Sequence, residues 1–169
     1  MAKLVLTLLG DDRAGLVQAV ADAVARHGGN WERSELAELA GAFAGIVLVS
    51  VPDDARIALV DDLLALDGLL QITPHERSAP PEPAPGDAFV FTVLGNDHPG
   101  IVRDVTQALV RHGLSIDRFT SRTVDAPMSG GLLFEATVSV RGAAASELAS
   151  ARSELEQLAG EIQVDLTVG

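Results

Sequence analysis

Two runs in this sequence have the residue types to hold a small ligand: Gly10-Asp11-Asp12-Arg13-Ala14-Gly15 and Gly95-Asn96-Asp97-His98-Pro99-Gly100. Each follows a short apolar run and precedes a segment of helical periodicity. A helix beginning there offers unpaired N–H donors and partial positive charge, and a glycine lets a ligand come close to the backbone. The carboxylate of a small amino acid can dock on such donors, with Asp12 or Asp97 available for its ammonium group. The competing reading is structural: Asp12 and Asp97 cap the helix, and the glycines permit the bend. Both can hold at once.

Little else carries chemistry. His27 and His112 each precede a glycine at the end of a helical pattern, where a cation complements the dipole. Neither has a partner at triad or metal spacing. No zinc-protease, nucleophile-elbow, dinucleotide or phosphate-loop motif occurs. Asp53-Asp54 reads as the opening of a second helix and Asp61-Asp62 as its wet face. Trp31 reads as a core or interface anchor, and Arg33, Arg118 and Arg122 as anion or salt-bridge partners. Neither catalysis, a cofactor nor a metal site is expected.

The elements that position the two runs occur twice. Leu4 to Val17 recurs in register as Phe89 to Val102, and the match continues without a gap through Arg26-His27-Gly28 and Arg111-His112-Gly113 to Arg33 and Arg118. Close to half of these aligned pairs are identical, which indicates a duplication. Val49-Ser50-Val51 then aligns with Val138-Ser139-Val140, the longer turn Ala126 to Gly131 replacing Gly41-Ala42. Each copy reads as a strand, a helix with Leu16, Val17, Val20 and Val24 (or Ile101, Val102, Val105 and Leu109) at helical spacing, a hairpin, a second helix and a closing strand. Gly28 and Gly113 suit left-handed C-caps. The second helix is read from Ile57, Val60, Leu63 and Leu64, and from Leu148, Ala151, Leu155 and Leu158.

The expected fold is therefore α+β: two tandem ferredoxin-like β-α-β-β-α-β domains, each a four-stranded antiparallel sheet with both helices on one face. Domain 1 spans residues 1–77 and domain 2 spans 88–169. Between them, Ser78 to Asp87 carries four prolines and forms a semi-extended linker. The uncovered sheet faces and edges make a homodimer an expectation.

Composition narrows the function. The chain has 169 residues, 47% hydrophobic, with 24 Asp+Glu against 12 Lys+Arg and no cysteine. That apolar fraction supports a real core. A net charge of −12 disfavours a direct grip on nucleic acid or an anionic membrane. The absence of cysteine excludes disulfides, thiol nucleophiles and cysteine-ligated metals. The apolar run Leu4 to Leu9 is too short for a signal segment or a membrane span, so the cytoplasm is the expected location.

The turn Asp97-His98-Pro99-Gly100-Ile101-Val102, followed by a His-Gly helix end, resembles the ACT domain family of ligand-sensing modules. Asp12-Arg13-Ala14-Gly15-Leu16-Val17 departs from it by carrying Ala14 where proline is typical. The tandem arrangement, the proline-rich joint and Ser121-Arg122-Thr123 resemble the glycine cleavage system transcriptional repressor group. The resemblance implies a non-catalytic regulator that binds a small amino acid, with glycine a candidate, at a subunit or domain interface. The implied contacts are Asp12, Gly15 and Asn30 in copy one, and Asp97, Gly100 and Ser115 in copy two. It also implies action through a protein partner such as a transcription factor or metabolic enzyme. The alternative is a regulatory or scaffold subunit of a metabolic enzyme with no ligand of its own.

Overall fold

The computed structural model describes residues 1–77, 87–126, 131–142, 145–158 and 163–168. The expected linker, apart from Asp87, and the turn around Met128 lie outside these residues. The chain divides into two compact units, Met1–Pro81 and Glu82–Gly169.

In the first unit, β1 (Ala2–Asp11), α1 (Leu16–Arg26), β2 (Asn30–Leu39), β3 (Ala42–Val51), α2 (Arg56–Leu64) and β4 (Gln71–Arg77) follow in sequence. The sheet order is β2-β3-β1-β4, antiparallel throughout. The second unit repeats this with β5 (Ala88–Asn96), α3 (Ile101–Arg111), β6 (Ser115–Asp125), β7 (Leu132–Arg141), α4 (Ala145–Leu158) and β8 (Gln163–Val168) in the order β6-β7-β5-β8. This is the ferredoxin-like β-α-β-β-α-β arrangement, twice.

Strand alternation sets the core. Leu4, Leu6 and Leu8 of β1 and Val47, Val49 and Val51 of β3 are buried together with Leu16, Val20, Ala23 and Val24 of α1. Phe91, Val93, Val138 and Val140 form the corresponding layer with Val105, Leu109 and Leu155. Each fully buried leucine or phenylalanine here contributes about 1.5–3 kcal/mol relative to exposure. Trp31 and Ile116, at matching positions, are partly buried against these cores. Pro74 sits on the edge strand β4, where its missing N–H interrupts no interior ladder.

Three local expectations need correction. On α2 the buried residues are Leu59 and Leu63, whereas Ile57 is 66% exposed and Leu64 is 48% exposed. The helix is short and almost wholly apolar apart from Arg56, Asp61 and Asp62, so its sequence allows more than one phase. Asp53 and Asp54 do not cap it: Ala55 is the N-cap residue, with no side-chain cap, and Asp53 holds the N-terminal amine of Met1 at 2.9 Å. Finally, Leu4 pairs with Val49 while its repeat mate Phe89 pairs with Val140. Val49 therefore corresponds to Val140, not Val138. A shift of two residues keeps every side chain on its face, which is why the pattern concealed it.

Candidate functional site

Both glycine turns adopt one geometry. Gly15 and Gly100 are the N-cap residues of α1 and α3, each with φ of 92°. Glycine enters this left-handed region without the steric cost a side chain would add. No side chain caps either helix. The capping role expected of Asp12 and Asp97 is therefore not formed, because each lies before the turn and not at the cap position. Their backbones serve instead to fasten the turn. The Asp12 N–H donates to the Gly41 carbonyl at 2.8 Å, and the Asp97 N–H to the Leu132 carbonyl at 2.9 Å. Each turn is thus held against the hairpin end of its sheet.

The turns are open. Asp12, Gly15, Asp97 and Gly100 are all exposed. A Cβ placed on Gly15 would meet nothing within 4 Å, and one on Gly100 would meet only the guanidinium of Arg103, at 3.4 Å. The first helical N–H groups have no partners within the helix by construction. Arg13 anchors its turn by donating to the Gly68 carbonyl at 3.2 Å, whereas His98 lies 3.2 Å from the Pro99 carbonyl next to it.

Asn30 and Ser115 lie elsewhere. Asn30 pairs with Ser50, which pairs with Lys3 near the start of β1. Asp12 follows the other end of that strand. The eleven-residue helix α1 separates Gly15 from Asn30, a run of about 16 Å at 1.5 Å per residue. Ser115, opposite Arg141, has the same relation to Gly100. Within one unit, then, the turn and the start of the second strand sit at opposite ends of the sheet.

The histidines have a structural role that the sequence showed only in part. At the end of α1, His27 Nε2 lies 2.9 Å from Asp62 Oδ2 on α2, with Arg26 at 3.2 Å from the same oxygen. At the end of α3, His112 and Arg111 both meet Glu154 of α4 at 2.8 Å. Asp62 is therefore turned toward the end of the neighbouring helix while its side chain stays 43% exposed. The His27 hydrogen bond, then Arg26, holds the Asp62 carboxyl below its ordinary range. Arg111, then His112, does the same for Glu154.

A matched pair of bulges had no sequence signal. Register shifts fall between Trp31 and Arg33 and between Ile116 and Arg118. The extra residues, Glu32 and Asp117, are both acids, and each is ion-paired, Glu32 to Lys3 at 2.9 Å and Asp117 to Arg141 at 2.7 Å. Lys3, then Ser50, keeps the Glu32 carboxyl low. Of the other arginines singled out, Arg33 reaches Glu35 at 3.7 Å and Arg122 pairs with Glu135. Among the described residues no group of acids and histidines could hold a metal ion, and no helix is long and apolar enough to cross a membrane.

Comparison with known proteins agrees with this fold. ACT domain models match residues 2–73 and residues 89–160. The glycine cleavage system transcriptional repressor of Escherichia coli is 28% identical over 163 residues, covering 94% of this chain and 85% of the repressor. The repressor of Shigella flexneri gives the same values. The crystal structure of an unknown protein from Galdieria sulphuraria superposes with a TM-score of 0.85 at 29% identity, covering 99% of this chain and 98% of that one.

Proposed function

This chain belongs to the ACT domain family, with two such domains in tandem, and from that premise we propose that it is a non-catalytic regulator that senses a small amino acid and signals through a protein partner. The observation that carries this reading is the duplicated open turn, Gly15 and Gly100 at the same φ in front of a helix start. A carboxylate docks there on backbone N–H groups, favoured by the helix dipole. Asp12 or Asp97 takes the ammonium. Glycine is the first ligand to test, on the similarity to the glycine cleavage repressors.

Because Asn30 and Ser115 lie far from the turn of their own unit, no single unit brings both kinds of residue to one ligand. The reading also includes a homodimer, on the uncovered sheet faces and edges. The open face of the first sheet offers a surface for it, with Leu9 and Ile46 about half exposed. Two ion pairs among the described residues lie beside them, Lys3 with Glu32 and Arg33 with Glu35. In a chain of net charge −12, a face whose acids are paired is where a second copy meets less repulsion. The same acidity supports a protein partner over direct DNA contact; the proposed setting is the cytoplasm.

Thermal unfolding of the full chain against a panel of amino acids tests the sensing claim. A ligand at 100 times its dissociation constant stabilises by about 2.7 kcal/mol. A panel that leaves the transition unmoved favours the alternative, a scaffold subunit of a metabolic enzyme.

A further inference from the structure

The two units share their cores but differ on the sheet face away from the helices. In the second unit Thr92, Thr137 and Thr120 face one another across β5, β7 and β6. The adjacent row places Glu135 opposite Arg122, and the two are ion-paired. These residues line an open basin of about 490 Å³, within the range of small-molecule sites. The corresponding rows of the first unit read Thr7, Ile46 and Glu35, then Leu9, Ala44 and Ala37. Among the described residues, three facing threonines beside a cross-strand Arg–Glu pair occur in the second unit and not at the corresponding positions of the first.

We propose that this basin is a binding site for a small zwitterion, one carrying an anionic group and a primary ammonium a few ångströms apart. A guanidinium has five N–H donors in a planar fork, and a single carboxylate takes at most two of them. Arg122, whose side chain is 71% exposed, thus keeps donors for an incoming carboxylate or phosphate, and the Thr92 and Thr137 hydroxyls add neutral ones, that of Thr120 being donated to the Thr137 carbonyl. Glu135 accepts from the ammonium. A simple anion would leave the Glu135 charge beside it, and a simple cation would face Arg122. Only a ligand with both signs satisfies both side chains. Opening the existing pair costs little, because an exposed ion pair contributes little to stability.

The site is distinct from the glycine turns, which lie beyond the end of β1 and of β5, and among the described residues it occurs once. The test is a titration of the full chain with glycine, β-alanine and phosphoethanolamine, followed by the methyl resonances of Thr92, Thr120 and Thr137. The expected result is a shift with at least one probe, saturating at one equivalent. Arg122→Gln and Glu135→Gln each weaken it about tenfold, as loss of a charge-assisted hydrogen bond does, while Ile57→Ala, at an exposed position of α2, leaves it unchanged. Binding of phosphoethanolamine alone identifies an aminoalkyl phosphate as the source. Binding of glycine or β-alanine identifies an amino acid. Three probes without a methyl shift, or a shift indifferent to either charge substitution, overturns the assignment. Shifts confined to the Gly15 and Gly100 resonances with all three probes overturn it too, without touching the reading of the turns.

Discussion

His27 Nε2 stands 2.9 Å from Asp62 Oδ2, closing the C-terminal end of α1 onto α2. An ionised carboxylate only accepts hydrogen bonds, so the imidazole is the donor. His112 and Glu154 repeat the arrangement in the second unit. Both acids have lowered pKa values in the folded chain. The unfolded chain therefore binds more protons in acid, and these contacts stabilise the fold above the unfolded values, about 3.9 for Asp and 4.3 for Glu. The contribution fades as pH falls from there through the lower folded values. Thermal melts from pH 6 to pH 3 should show the Asp62→Asn, Glu154→Gln double variant losing less stability on acidification than the parent chain. Parallel curves would remove the clamps from the stability account.

Glycine substitutions separate close approach from backbone conformation. A Cβ on Gly29 would lie 2.9 Å from both the Ser50 carbonyl oxygen and Val24 Cγ1. Gly29→Ala should cost about 1–3 kcal/mol through overpacking. Gly15→Ala meets open space but must hold φ at 92°, which costs about 1–2 kcal/mol. Denaturant titration measures both. A Gly29→Ala chain as stable as the parent would contradict the tight contact.

The phase of α2 is checked by two alanines. Leu59 is fully buried and Ile57 is exposed. Leu59→Ala should lose about 2–5 kcal/mol, and Ile57→Ala should stay within about 0.5 kcal/mol of the parent. The reverse order would restore the helix face read from spacing.

The fold was legible where two patterns agreed. Leu16, Val20 and Val24 had one helical phase and a glycine stop at Gly28, whose φ is 66°, so α1 could be drawn from sequence. Helix α2 could not be phased, because Ile57, Leu59, Val60, Leu63 and Leu64 are apolar on several sides. Period-two alternation identified β3 and β7 yet could not distinguish Val138 from Val140 as the partner position. The glycine turns were visible as a repeated motif. The separation of Asn30 from Gly15 was not, since it follows from strand pairing at long range. The bulges at Glu32 and Asp117 were not legible either, because a bulge leaves no mark in composition.

The proposed dimer face gives a fourth prediction. Ile46 lies on a central strand and is 50% exposed, so Ile46→Glu puts an unpaired charge into the contact without entering the core. Sedimentation equilibrium should show a dimer for the parent chain and a monomer for this variant. Equal masses for the two would place the interface elsewhere.

The amide resonances of Gly15 and Gly100 report most directly on amino-acid sensing at the turns. On titration of the full chain with glycine and then with the other amino acids, at least one of the two should shift and saturate, and the shift should weaken in Asp12→Asn or Asp97→Asn at the matching turn. Resonances that stay fixed across the whole series would contradict the account at its centre.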